Sequence, residues 1–233
     1  MMLNLQSVNH FYGESHTLWD LTLGVPNGSC TCLMGRNGVG KTTTLKCIMG
    51  LLPLRSGEIH FDGSSLSSQP AESRARLGIG YVPQGREIFP RLTVDENLRV
   101  GLVVNRGESG HRAYERLLDA FPVLRQMLRR SGGDLSGGQQ QQLAIARALI
   151  LEPRVLILDE PTEGIQPNIV HEIGDTIVRL NRELGVTILL VEQKLPLARR
   201  VADRFYVLDK GRAVASGAMN DLDDGLVRRY LTV

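Results

Sequence analysis

The stretch Gly35-Arg36-Asn37-Gly38-Val39-Gly40-Lys41-Thr42 follows a predicted strand at residues 29–34 and precedes a predicted helix at residues 40–49. It matches the phosphate-binding loop pattern, which requires a strand before the loop and a helix after it. Backbone N–H groups would surround the phosphates, Lys41 would reach the terminal phosphates, and the Thr42 hydroxyl could coordinate Mg²⁺. An ordinary glycine turn is the alternative, and the sequence context favours the phosphate-binding interpretation.

The composition fits one substantial domain. The chain has 233 residues, of which 42% are hydrophobic, which is enough for one core or for one domain with an inserted lobe. It is too short for two complete nucleotide-hydrolysing domains. The formal net charge is only +2 and the Lys and Arg residues are scattered, so nothing here indicates a nucleic-acid partner.

The apolar runs and the cysteines predict a cytoplasmic chain. The run at residues 155–158 is among the longest and is far below the roughly 20 residues needed to cross a bilayer. The first residues lack the basic region and the apolar segment of a secretory signal. Cys30, Cys32 and Cys47 are interpreted as small apolar filler in a reducing compartment rather than as a disulfide or a metal site.

Periodicity predicts an α/β core that is interrupted by helices. Residues 1–86 and 151–233 show strand and turn patterns that alternate with helical ones, whereas residues 87–150 are mainly helical in pattern. We therefore expect a single domain, residues 1–233, with a helical lobe inserted into the core. The clearest predicted elements are strands at 18–25, 79–82, 155–158 and 186–191, helices at 113–121, 140–150 and 169–184, and a hairpin at 205–215.

Leu135-Ser136-Gly137-Gly138-Gln139 precedes the predicted helix at residues 140–150. Ser136 would cap this helix and Gln139 would complete a capping box, as Thr93 and Glu96 would do at an earlier helix. Bare N–H groups, a hydroxyl and the helix dipole would then meet at one point, which favours an anion. A simple glycine turn that opens a helix is the alternative.

Asp159-Glu160 directly follows the apolar strand at residues 155–158. Asp159 would contribute to the Mg²⁺ shell, and Glu160 would be the base that activates water. An ordinary acidic turn after a strand is the alternative. Adjacent carboxylates beside a buried strand are costly without a cation, and the phosphate-binding loop implies such a cation.

The ordered set of phosphate-binding loop, Gln84, Leu-Ser-Gly-Gly-Gln and Asp-Glu resembles the ATP-binding subunits of ABC transporters along nearly the whole chain. The resemblance implies a phosphate-binding-loop NTPase core with a mainly parallel sheet, an N-terminal antiparallel β subdomain and an inserted helical subdomain. It also implies ATP and Mg²⁺ as ligands, with each ATP held between two nucleotide-binding domains.

The resemblance assigns roles to residues on both sides of that nucleotide. Ser136, Gly137, Gly138 and Gln139, termed here the signature, would act in trans on ATP bound to the partner. The residues implied to bind the chain's own nucleotide are Gly35, Arg36, Asn37, Gly38, Val39, Gly40, Lys41, Thr42 and Thr43.

Two further residues receive roles from the resemblance. Tyr12 would stack on adenine, with a plain core aromatic as the alternative. Gln84 would sense Mg²⁺ and the attacking water, with an ordinary loop amide as the alternative. The segment at residues 85–98 would join the helical lobe to a transmembrane partner.

Gln193 departs from the common family pattern, because most such ATPases carry at this place a histidine that contacts the γ-phosphate. A neutral amide can donate a hydrogen bond but cannot become a cation. The substitution puts in doubt how strongly this chain's own site hydrolyses ATP, and it makes two unequal sites in a heterodimer plausible.

Residues 35–40, 80–90 and 159–167 are similar to the ATPases of branched-chain amino acid and urea importers. Arg36-Asn37, the Gly-Gly-Asp before Leu135 and the four glutamines at residues 139–142 favour the urea importer, with the branched-chain amino acid importer as the alternative. The implied partners are a second ATP-binding subunit, membrane-spanning permease subunits at the inner face of the membrane and, indirectly, a solute-binding protein.

Three other classes are weaker alternatives. DNA-repair members of the family insert a long coiled coil between the phosphate-binding loop and the signature, and translation members carry two ATPase domains. This chain has a compact lobe and one domain. The third alternative, a nucleotide-gated regulator without useful hydrolysis, rests on Gln193.

Overall fold

A computed structural model describes residues 1–102 and 108–231. The strands are, in chain order, β1 Leu3–Tyr12, β2 Ser15–Val25, β3 Cys30–Met34, β4 Ser56–Phe61, β5 Ser64–Ser65, β6 Ile79–Val82, β7 Val155–Asp159, β8 Thr187–Val191, β9 Arg204–Asp209 and β10 Arg212–Ala218. The helices are α1 Lys41–Ile48, α2 Ala71–Arg76, α3 Val94–Leu102, α4 Glu108–Ala120, α5 Pro122–Gln126, α6 Gly137–Leu149, α7 Pro167–Arg182, α8 Leu195–Val201 and α9 Asp224–Tyr230.

The strands form two sheets. A four-stranded sheet has the order β2-β1-β4-β5 and is antiparallel, and a six-stranded sheet has the order β10-β9-β3-β8-β7-β6. In the larger sheet the β9–β10 pair is antiparallel and the other pairs are parallel. The predicted combination of an N-terminal antiparallel sheet and a mainly parallel core sheet is confirmed.

The hydrophobic core lies on both faces of the six-stranded sheet, because side chains alternate along each strand. In β7, Val155 and Ile157 pack toward α1 and the antiparallel sheet, whereas Leu156 and Leu158 pack toward α6, α7 and α8. This burial on both faces is typical of a central parallel strand. It explains why residues 155–158 form a continuous apolar run.

Helices α3 to α6 follow β6 and precede β7, within the predicted lobe at residues 87–150. Residues 103–107 of that lobe lie outside the described residues. The predicted capping box of α3 is present: the Thr93 N–H donates to Glu96 Oε2 at 2.8 Å, and the Glu96 N–H donates to Thr93 Oγ1 at 3.2 Å. Apolar side chains of α6 belong to the same buried cluster as β7, so lobe and sheet share one core.

The three cysteines lie in the core of the protein. All three cysteines are buried and free, and burial raises the pKa of the Cys30 and Cys47 thiols to about 12. These thiols therefore remain protonated and apolar at neutral pH. In the part of the chain that the structure describes, each helix is too short or too polar to span a bilayer.

Candidate active site

The phosphate-binding loop connects β3 to α1 and requires glycine at its ends. A Cβ atom on Gly35 would overlap the carbonyl oxygen of Leu208, and a Cβ atom on Gly40 would lie 2.8 Å from Leu18 Cδ2. Both residues also have positive φ angles, 150° and 107°. The buried Lys41 ammonium lies over the loop and donates to the carbonyl oxygens of Gly35 and Arg36 at 2.9 and 3.0 Å.

Of the three residues predicted at the Mg²⁺ site, Thr42, Gln84 and Asp159, the structure joins Thr42 and Asp159 by a hydrogen bond. The Thr42 hydroxyl donates to Asp159 Oδ1 at 3.3 Å, and the Tyr81 hydroxyl donates to Asp159 Oδ2 at 3.5 Å. Burial, helped by the nearby Glu160 charge and opposed by the Thr42 hydrogen bond, raises the pKa of the Asp159 carboxyl above its ordinary value. A cation at this point would favour the ionised carboxylate.

This pair fits magnesium. Mg²⁺ prefers oxygen ligands and is usually bound by one or two protein side chains together with phosphates and waters, rather than by an all-protein cage. Within residues 1–102 and 108–231, no group of three His, Cys, Asp or Glu side chains could hold a metal ion. Two protein oxygens, with the remaining positions left to phosphates and waters, agree with this preference of Mg²⁺.

Glu160 follows β7 and points toward the phosphate-binding loop. Its Oε1 atom lies 3.4 Å from Lys41 Nζ, and its backbone N–H donates to the carbonyl oxygen of Val191 at 2.9 Å. The φ angle of Glu160 is +47°, in the left-handed region. The carboxylate predicted to be the base therefore lies beside the lysine predicted to bind phosphate.

The Gln193 side chain donates hydrogen bonds to two other residues of the predicted site. Its Nε2 atom donates to Asn37 Oδ1 at 2.6 Å and to Glu160 Oε1 at 2.7 Å. One side-chain amide thus connects the phosphate-binding loop to the carboxylate after β7. The structure brings Asn37 and Lys41 of the phosphate-binding loop together with Glu160 and Gln193, which lie more than 100 residues further along the chain.

We expect Gln193→Ala to lower the single-turnover rate of ATP hydrolysis about tenfold, because Glu160 loses the amide that orients it. ATP affinity should change little, since Lys41 and the loop backbone remain. Gln6→Ala, which removes an exposed amide on β1, is the matched control. A wild-type hydrolysis rate in Gln193→Ala, measured by rapid quench, would contradict a positioning role for this amide.

Gln84 lies just after β6, as expected, and Tyr12 is the last residue of β1, a strand that the sequence did not predict. The Gln84 amide follows β6 and donates to Glu163 Oε2 at 2.7 Å, so its hydrogen bond goes to the loop after β7. Tyr12 is half exposed and makes an edge-to-face contact with His10, with ring centroids 4.7 Å apart. This exposure argues against the core-aromatic alternative for Tyr12. The sensing role of Gln84 and the stacking role of Tyr12 stay predictions.

The signature begins α6 with the predicted capping box. The Ser136 N–H donates to Gln139 Oε1 at 2.9 Å, and the Gln139 N–H donates to Ser136 Oγ at 3.4 Å. Ser136 is exposed, whereas Gly138 is buried against α7. Ser136 at the start of this helix is thus exposed, as a site for an external anion requires. The action of the signature across a dimer stays a prediction.

Sequence reasoning missed Tyr81, whose hydroxyl reaches Asp159. No local pattern marks it, because the contact arises only when β6 pairs with β7 in parallel and Tyr81 comes opposite Ile157. It also missed Thr162, Glu192 and Lys194, whose hydrogen bonds join the loop after β7 to the loop after β8.

The chain is similar to known proteins along most of its length. The family model described as "ABC transporter" matches residues 18–163, more than half of the 233 residues. BraG of Pseudomonas aeruginosa, named as a high-affinity branched-chain amino acid transport ATP-binding protein, is 40% identical over 91% of both chains. LivF of Archaeoglobus fulgidus, whose name also refers to branched-chain amino acid transport, is 40% identical over 95% of this chain and 94% of that protein.

Solved structures of ATP-binding cassettes are similar to this chain in fold and in sequence. CbiO1 of Clostridium perfringens, described as part of an ABC transporter complex, has a TM-score of 0.86 and 29% identity over 98% of this chain and 93% of that one. A dimeric ATP-binding cassette with bound ADP and Pi, described as a post-hydrolysis state, has a TM-score of 0.83 and 27% identity over 94% of this chain and 99% of that one.

Proposed function

This chain belongs to the ABC transporter family as an ATP-binding, ATP-hydrolysing subunit, and on that premise we propose that it energises the uptake of branched-chain amino acids. The names of BraG and LivF support this substrate class. Urea, which the sequence features around Arg36 and Leu135 favour, is the second candidate. The observation that carries the ATPase function is the network of Lys41, Glu160 and Gln193 at the phosphate-binding loop.

The proposed chemistry is in-line attack of water on the γ-phosphate. Lys41 would exchange its two carbonyl partners for phosphate oxygens, and the N–H groups at the start of α1 would bind the same phosphates. Glu160 would accept the proton of the attacking water. Thr42 and Asp159 would hold Mg²⁺, which when bound supplies charge neutralisation at the phosphates.

The proposed assembly contains a second ATP-binding subunit and membrane-spanning permease subunits, through which the chain would lie at the inner face of the membrane. The exposure of Ser136 at the start of α6 supports a role across the dimer, because a partner's phosphate could reach this residue. A solute-binding protein would deliver the substrate to the permeases. Since Gln193 replaces the usual histidine, we propose a heterodimer whose other subunit retains that histidine.

The substrate is tested by deleting the gene and measuring uptake of labelled leucine and labelled urea under inducing conditions. We expect leucine uptake to fall to background and urea uptake to stay unchanged. The wild-type gene should restore uptake, and the Glu160→Gln gene should not. Loss of urea uptake alone would show that the chain energises urea uptake and not branched-chain amino acid uptake. Normal uptake of both solutes would overturn both substrate assignments.

A further inference from the structure

The loops that follow β7 and β8 are joined by a buried carboxylate. Glu192, only 3% exposed, directly follows β8 and accepts hydrogen bonds on both oxygens. Its Oε2 accepts from the Thr162 hydroxyl at 2.6 Å, and its Oε1 accepts from the backbone N–H groups of Gln193 and Lys194 at 2.7 and 2.9 Å. A buried carboxylate needs such donors, because an unpaired one is strongly destabilised.

A second hydrogen bond joins the same two loops. The Lys194 ammonium donates to the carbonyl oxygen of Thr162 at 2.8 Å. Thr162 is fully buried, so its hydroxyl and its carbonyl oxygen are both fixed by the loop after β8. We name these three residues, Thr162, Glu192 and Lys194, the loop clamp.

The loop clamp lies beside the residues that contact the base. Thr162 is two residues beyond Glu160, and Glu192 directly precedes Gln193, whose amide donates to Glu160. The backbone N–H of Glu160 bonds to Val191. A shift of Thr162 relative to Glu192 would therefore change both the backbone that carries the base and the amide that orients its carboxylate.

We propose that Glu192 is a positioning residue that, through Thr162, holds Glu160 and Gln193 in register for hydrolysis. This inference rests on the proposed role of Glu160 as the base. Glu192 would act on Glu160 through these hydrogen bonds alone. A purely structural carboxylate is the competing interpretation, and it predicts lower stability without a specific loss of the chemical step.

The two interpretations differ in what Thr162→Val does. Valine keeps the shape of threonine and removes the hydroxyl, whereas Thr162→Ser keeps the hydroxyl and is the matched control. We expect Thr162→Val to lower the single-turnover hydrolysis rate about tenfold or more, since misplacement of a catalytic group by about 1 Å can cost about 10²-fold. The melting temperature should fall, because the buried Oε2 of Glu192 loses its hydroxyl donor, but the dissociation constant of ATP should stay near wild type, and Thr162→Ser should remain within about twofold in rate.

A double-mutant cycle adds a second readout in the assembled transporter. Glu192→Gln retains Oε1 for the two backbone N–H groups and alters only the contact with Thr162. If both residues act through one contact, the double variant Thr162→Val/Glu192→Gln should be no slower than the slower single variant. Additive losses in the cycle would contradict the proposed contact.

Glu160→Gln, assayed in parallel, separates this inference from the function on which it rests. Full hydrolysis in Glu160→Gln would overturn the base assignment itself. If Glu160→Gln is inactive and Thr162→Val hydrolyses at the wild-type rate, or loses ATP affinity and rate equally, the positioning role of the loop clamp is overturned while the ATPase assignment stands.

Discussion

Glu160→Gln is expected to lower the rate of ATP hydrolysis about 10³-fold, within the range attributed to a general base. Glutamine keeps the size of the side chain and still accepts the Gln193 amide through its carbonyl oxygen, but it cannot take a proton from water. ATP binding should persist, because Lys41 retains its position over the loop. The variant should therefore accumulate as an ATP-bound closed dimer.

Rate and assembly are measured separately for this variant. Rapid quench measures the rate of ATP hydrolysis. Size-exclusion chromatography in the presence of ATP measures the fraction of the protein that is dimeric. Glu172→Gln, which neutralises an exposed carboxylate on α7, controls for the loss of one charge and should behave as wild type. Hydrolysis by Glu160→Gln at the control rate would disprove the assignment of Glu160 as the base.

Gly138→Ala is expected to reduce hydrolysis by the assembled dimer about 10²-fold. A Cβ atom on Gly138 would overlap Cγ2 of Ile169 and lie 3.3 Å from its Cβ atom. Ile169 is β-branched and lies on α7, so its side chain has little freedom to move aside. The start of α6 must then shift, and the signature would lose its register with the partner's phosphate, since catalysis by positioned donors is sensitive to small displacements.

The steric cause can be tested by rescue. Ile169→Ala removes the overlapping methyl group, so the double variant Gly138→Ala/Ile169→Ala should recover most of the hydrolysis rate, with Ile169→Ala alone as the control. ATP affinity of the isolated chain should stay unchanged in each variant, because the signature is proposed to act on the partner's nucleotide. Wild-type hydrolysis in Gly138→Ala, or failure of the rescue, would contradict the proposed cause.

The sequence predicted those elements whose signal is local. Both capping boxes involve residues three positions apart, and the phosphate-binding loop carries its own pattern, so each could be identified without knowledge of the fold. Strand β1 was not predicted, although Leu3, Leu5 and Val8 are buried. The alternation is broken at Ser7, which has a φ angle of +47° and lies at a register shift between Leu5 and Val8.

The residues of the candidate site also differ in whether a local sequence signal identifies them. Lys41, Glu160 and Gln193 could be predicted because each belongs to a recognisable motif, and the structure brings them within hydrogen-bond or ion-pair distance. The bond between Thr162 and Glu192 joins residues 30 positions apart, and it depends on β7 pairing with β8 so that Asp159 comes opposite Val191. No periodicity along the chain encodes that strand order.

The backbone conformation of Glu160 has a consequence for how this protein can change. A non-glycine residue in the left-handed region costs on the order of 1–3 kcal/mol, a sizeable part of the roughly 5–15 kcal/mol that stabilises a folded domain. Glycine would relieve that strain but has no carboxylate. Selection for thermal stability alone would therefore favour glycine here, and the proposed role of Glu160 in turnover explains why a strained glutamate is retained.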